Sequence, residues 1–155
     1  MGMSGRYLVV TDELIESIKS GEVSVHDCPV DLDIDKMWQI LQFTLNGNLV
    51  QGTPPLGYVV PLAGDQYVGN YSDMDLFLLS NEQVLEAYMA LEQLTTEELK
   101  AWYSLDQMIA EGIYPVMEGW DAEETWQEII QTMDDVQALF QTTAASGNGI
   151  VFYVF

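Results

Sequence analysis

The chain opens with a short β-prone run, Arg6 to Val10, and then changes period. Thr11 offers a hydroxyl to cap a helix with Asp12 and Glu13 in its first turn, Leu14, Ile15 and Ile18 on its buried stripe, and Gly21 as its stop. Glu22 to Pro29 reads as a connector or short strand. Asp33 or Asp35 can then cap a helix carrying Met37, Trp38, Leu41 and Leu45, which ends at Asn46-Gly47. From Asn48 to Asp73 glycine, proline, tyrosine and asparagine replace any sustained period. That segment predicts a long structured loop with room for one strand, the apolar run Tyr58-Val59-Val60 being its only candidate. Met74 to Leu79 alternates as a strand does.

After Ser80 the pattern is helical. Ser80 with Gln83 and Thr95 with Glu98 are two capping boxes, the first before Val84, Leu85, Tyr88 and Leu91, the second before Leu99 and Trp102. Ser104 starts a short helical turn toward Gly112. Asp121 and Glu124 open the longest helix, where Trp126, Ile129, Ile130, Met133, Val136 and Phe140 share one face before the stop near Ser146-Gly147. Ile150 to Phe155 is apolar at every position, as in a strand covered on both faces. No internal repeat, linker or low-complexity tail interrupts the chain. Together these elements predict one α/β domain over residues 1–155, with a small mixed β-sheet, helices on its faces and a helix-rich C-terminal half.

The order Leu32-Asp33-Ile34-Asp35-Lys36-Met37-Trp38, followed by Leu41, Phe43, Leu45 and Asn46-Gly47, resembles the core segment of the YfbM-like proteins, a bacterial family of unknown function. The likeness continues through Leu78 to Val84, Thr96 to Leu99, Ile113-Tyr114-Pro115, Trp120 and Ala144 to Gly147, and the opening Met1 to Gly5 is similar to the family's usual start. It spans most of the chain. The resemblance implies a three-layer α/β sandwich and a bacterial, cytoplasmic origin, and it brings no activity with it. Relatives often have a His where this chain has Gln42, so a family role for that His as base or ligand does not extend to this member.

Length and 48% apolar content suffice for a closed core. Charge alters the functional picture more. Twenty-five acidic residues stand against Arg6, Lys19, Lys36 and Lys100, for a formal charge of -21. Such a surface repels nucleic acid and anionic membranes and concentrates cations and basic proteins. Cys28 is the only cysteine, which excludes an intramolecular disulfide and a cysteine-based zinc site and suits a reducing cytoplasm. No signal-like n-region or membrane-length apolar run is present, and Arg6 breaks the myristoylation pattern that Gly2 suggests.

Local constellations point away from assembled chemistry. Asp31, Asp33 and Asp35 resemble the start of a calcium loop, but Lys36 and Gln42 stand where glycine and a bidentate carboxylate are required, so these acids are read as serving a helix start. His26 and Cys28 share a face if the chain is extended there, yet no orienting partner or oxyanion turn accompanies them. No catalytic, cofactor or metal residue is nominated. Trp38, Trp102 and Trp126 fall on apolar stripes and read as core. Trp120 follows Tyr114-Pro115 and Met117 in a loop, an apolar ridge edged by Glu118 and Asp121.

The function these residues support is a non-catalytic interaction module, of the immunity-protein kind, that binds a basic partner through Glu128, Asp134, Asp135, Trp120 and Tyr114. Two rivals remain open. A carboxylate-based small hydrolase needs two converging acids in a cleft rimmed by residues 48–73; a small-molecule binder needs an apolar pocket beside Tyr114 and Trp120.

Overall fold

The apolar C-terminal run is the axis of the molecule. In a computed structural model that describes residues 3–49, 52–62 and 64–155, β5 (Gly149–Val154) pairs with β1 (Gly5–Val10) on one side and β4 (Met74–Leu79) on the other. The two-residue β2 (Leu32–Asp33) and β3 (Tyr67–Tyr71) form the edges, giving the order β2-β1-β5-β4-β3. Every neighbouring pair is antiparallel, so the sheet is not the mixed one expected from the elements. A strand's direction depends on the end of the sheet at which the preceding helix delivers the chain, and the strand's own residues do not encode it.

Side chains of β5 alternate between two cores, as the pleat requires. Ile150 and Phe152 join Tyr7 and Leu79 on the face covered by α2 (Met37–Asn46), α3 (Asn81–Gln93) and α6 (Ala122–Ser146). Val151 and Tyr153 join Leu8, Val10 and Leu76 on the face covered by Ile15 and Ile18 of α1 (Asp12–Ser20) and by Val25. Helix, sheet and helices make three layers. The short α4 (Thr96–Trp102) and α5 (Leu105–Glu111) belong to the larger side through Leu99 and Met108.

Tyr7 sits at the centre of the larger core, its ring 4.9 Å from that of Phe152 and 6.0 Å from that of Phe140. Its hydroxyl donates to the carbonyl of Val59 and so ties β1 to the long loop. Tyr58-Val59-Val60 is not a strand: a 3-10 turn over Leu56–Tyr58 leads into Val59 and Val60, both fully buried. The loop's single strand is β3 instead. Its neck is a contact between Gly52 and Gly57, where a Cβ on Gly57 would lie 2.5 Å from the Gly52 carbonyl carbon.

Both capping boxes form, and Asp121 caps α6 by accepting from the Glu124 N–H at 2.9 Å. Neither Asp33 nor Asp35 caps α2. Lys36 occupies that position without a side-chain bond, because Asp33 is spent on the preceding turn, where it accepts from the Asp35 N–H at 2.7 Å and pairs with Arg6 at 3.1 Å. Two expected core residues are also half-exposed. Leu85 and Trp102 each keep 45% of their surface in solvent, since the sheet-facing contacts are already made by Val84 and Leu91 on α3 and by Leu99 on the seven-residue α4. Among the described residues no helix is long and apolar enough to cross a membrane.

Candidate functional site

α6 buries Trp126, Ile129, Met133, Val136 and Phe140 along one stripe, which leaves positions 121, 124, 128, 131, 132 and 135 on a flank. That flank is not flat. Gly119, Trp120, Asp121, Glu124, Thr125 and Glu128 line a depression of about 310 Å³. A second one of about 230 Å³ lies between α6, through Glu128, Gln131, Thr132 and Asp135, and the β2–α2 turn, through Asp33, Ile34, Asp35 and Met37. Glu128 belongs to both. The result is an acidic groove that begins at Trp120 and runs along α6 to the Asp33-Ile34-Asp35 turn.

Several of these carboxylates are already engaged. Asp121 caps α6, Asp135 accepts from the Gln131 side chain at 3.2 Å, and Asp35 accepts from the Ser4 hydroxyl at 3.3 Å. Glu124 and Glu128 have no side-chain partner among the described residues and face solvent. Among the described residues two cations stand beside the groove, Arg6, bound to Asp33, and the exposed Lys36, between Asp35 and Met37 in the β2–α2 turn; the two other ion pairs, Lys19 with Glu16 and Lys100 with Glu123, lie off it. So the groove carries a dense negative field that its own side chains hardly neutralise.

The nominated residues separate. Trp120 and Glu128 lie in the first depression and Asp135 in the second, whereas Asp134, one position round the helix, is exposed and lines neither. Tyr114 is elsewhere: its N–H donates to Gln39 at 2.8 Å and its hydroxyl accepts from the Met3 N–H at 3.3 Å. It anchors the N-terminal segment, whose Met3 carbonyl also accepts the Trp38 indole N–H at 2.9 Å. Asp33, Asp35 and Glu124, which the residue pattern assigns to helix starts, also line the groove. Their spacing along α6 and next to α2 was visible, but the contact between α6 and the β2–α2 turn was not.

The rival sites look different. The long loop does rim a depression of about 360 Å³, lined by Pro54, Pro55, Glu86, Met89, Ala90 and Gln93, with one carboxylate where the hydrolase reading needs two. The hollow beside Trp120 has three carboxylates, unlike the apolar pocket a small-molecule binder would use. His26 points its Nε2 at the Ser72 carbonyl, 2.9 Å away, and Cys28 lies 3.6 Å from the Ser24 carbonyl. Burial, with Asp27 and Asp31 nearby, pushes the thiol pKa up, opposite to what a nucleophile requires. Among the described residues no three His, Cys, Asp or Glu side chains converge as metal ligands.

A family model described as a domain of unknown function, DUF1877, matches residues 1–153. The chain belongs to the DUF1877 family. A solved structure of a protein of unknown function, YfbM from Escherichia coli, superposes with a TM-score of 0.75 over 100% of both chains at 22% sequence identity. At that identity the likeness carries the DUF1877 fold and nothing about activity. No curated protein matches the chain. In this DUF1877 chain Gln42 is 2% exposed and accepts from the Asn46 amide at 3.2 Å, a packed structural contact.

Proposed function

We propose that the protein is a non-catalytic interaction module of the cytoplasm, of the immunity-protein kind, which captures a basic segment of another protein in the acidic groove along α6. One observation carries this reading: two depressions share Glu128 as a lining residue, so that Trp120 and Glu124 on one side of it and Asp135 with the Asp33-Ile34-Asp35 turn on the other lie along one acidic flank of α6. Lys or Arg side chains entering the groove would meet carboxylates along its length and the face of Trp120 at one end. A lone thiol that needs no partner supports the cytoplasmic placement.

A labelled Lys/Arg-rich peptide is the probe, titrated against two variants of equal charge. Glu124→Gln with Glu128→Gln and Asp135→Asn alters the groove; Glu22→Gln with Glu92→Gln and Glu111→Gln alters other exposed sites. Three exposed pairs at roughly 0.2 to 1 kcal/mol each make an expected loss of about tenfold for the groove variant, with a flatter salt dependence. Equal weakening by both variants would mean that the peptide senses only net charge, and the groove reading would fall.

A further inference from the structure

Trp102 is a tryptophan that the fold leaves unused. Trp38 donates its indole N–H to Met3, and Trp126 stacks on Tyr103 at 5.4 Å with the Lys100 ammonium 4.5 Å above its ring. Trp102 is 45% exposed and, among the described residues, its N–H has no acceptor and its ring has no aromatic or cationic neighbour. It forms one wall of a depression of about 310 Å³ whose other walls are Phe43 to Gly47 and Gln107.

Those walls include the final turn of α2. Gly47, at φ 76°, ends the helix by donating its N–H to the Phe43 carbonyl at 2.8 Å. The last carbonyls of a helix lack intrahelical donors and carry the negative end of its dipole, which a basic residue in the last turn commonly offsets. α2 has none there. Arg6, Lys19 and Lys100 are paired with acids elsewhere, and Lys36 stands at the opposite end of the same helix. A helix C-terminus without a cation therefore faces the same hollow as an open indole ring. No carboxylate lines it, which disfavours a hard divalent ion, whereas Phe43, Leu45 and Trp102 suit a cation that carries alkyl groups. Its volume lies at the lower end of small-ligand clefts, which span roughly 300 to 1,000 Å³.

We propose that Trp102 and the C-terminal turn of α2 form a binding site for a small organic cation of the alkylammonium class. The site shares no residue with the α6 groove and stands independently of the role assigned to that groove.

Choline is the probe and 3,3-dimethylbutan-1-ol its neutral isostere, followed on the full chain through the four indole N–H signals in a proton–nitrogen correlation spectrum. Sodium chloride at about 0.15 M suppresses loose cation accumulation. The Trp102 signal should shift saturably with choline, and the isostere should bind at least about tenfold more weakly. Trp102→Leu should abolish saturable binding. Gln107→Lys, at an exposed position, tethers an ammonium in the hollow; it should weaken choline binding by about tenfold and shift the Trp102 signal without ligand. Non-saturating shifts of all four signals, equal binding of the isostere, or choline binding unchanged in Gln107→Lys would each overturn the site.

Discussion

Replacing Tyr7 by Phe removes one oxygen from the centre of the larger core and little else. The ring keeps its packing on Phe140 and Phe152, while the carbonyl of Val59, a fully buried residue, loses its donor. Leaving such a buried acceptor unpaired costs about 1 to 3 kcal/mol. Against a total stability of about 5 to 15 kcal/mol, that is a drop in melting temperature of roughly 2 to 12 °C. The same substitution has a pH signature. Burial pushes the Tyr7 pKa far above its ordinary value, whereas in the unfolded chain the phenol ionises near pH ~10. Below that pH both states keep the proton and the term is constant. Above it the unfolded chain releases a proton that the folded chain retains, so stability falls with rising pH by about 1.4 kcal/mol per unit for this one group. Burial also raises Tyr103 and Tyr153, and carboxylate hydrogen bonds raise Tyr67 and Tyr88, so the parent's alkaline loss is not due to Tyr7 alone. The difference between parent and Tyr7→Phe isolates it. Urea unfolding at pH values of about 8, 10 and 11 should show a parent advantage of about 1 to 3 kcal/mol at the lowest pH that shrinks by about 1 kcal/mol between the upper two, because the unfolded phenol is half ionised at the first of them. Equal stabilities at the lowest pH, or a gap that stays constant on going alkaline, would refute the reasoning.

Deleting Ile150 to Phe155 removes the central strand, whose residues 150 to 153 are at most 2% exposed, so the truncated chain should show no cooperative melt; calorimetry finding a transition near the parent's would contradict the topology. Gly57→Ala drives a Cβ to 2.5 Å from the Gly52 carbonyl carbon, both on backbone that cannot yield by a rotamer change, and should cost about 1 to 3 kcal/mol in denaturant unfolding. An unchanged midpoint would mean that the neck of the loop opens freely. Three ion pairs among the described residues leave most of the 25 acids unneutralised, so raising sodium chloride from about 0.02 to 0.3 M should raise the melting temperature by screening repulsion. A flat or falling melting temperature over that range would show that the acids do not repel one another enough to matter.

Local physics made most of the elements legible from residue order. Thr11, Ser80, Thr95, Ser104 and Asp121 each accept a backbone N–H at a helix start, and Gly21, Gly47, Gly112 and Gly147 each end a helix with positive φ, because caps and stops depend on neighbours three or four residues away. The doubly covered β5 was legible for the same reason: a run of apolar side chains is buried on both faces of a pleat, as Ile150 to Tyr153 are, whereas Phe155, expected in the same run, lies beyond the strand and is 54% exposed. Tertiary structure alone decided the rest. Strand direction and order, the placing of Val59 under Tyr7, and the failure of Trp102 to find the core depend on which surfaces the helices leave open after packing. The α6 groove is of this second kind. Periodicity put Asp121, Glu124 and Glu128 on one flank, but only the packing of α6 beside the β2–α2 turn set Asp135 in one depression with Asp33 and Asp35, nearly 100 residues earlier in the chain, and made a charged helix face concave.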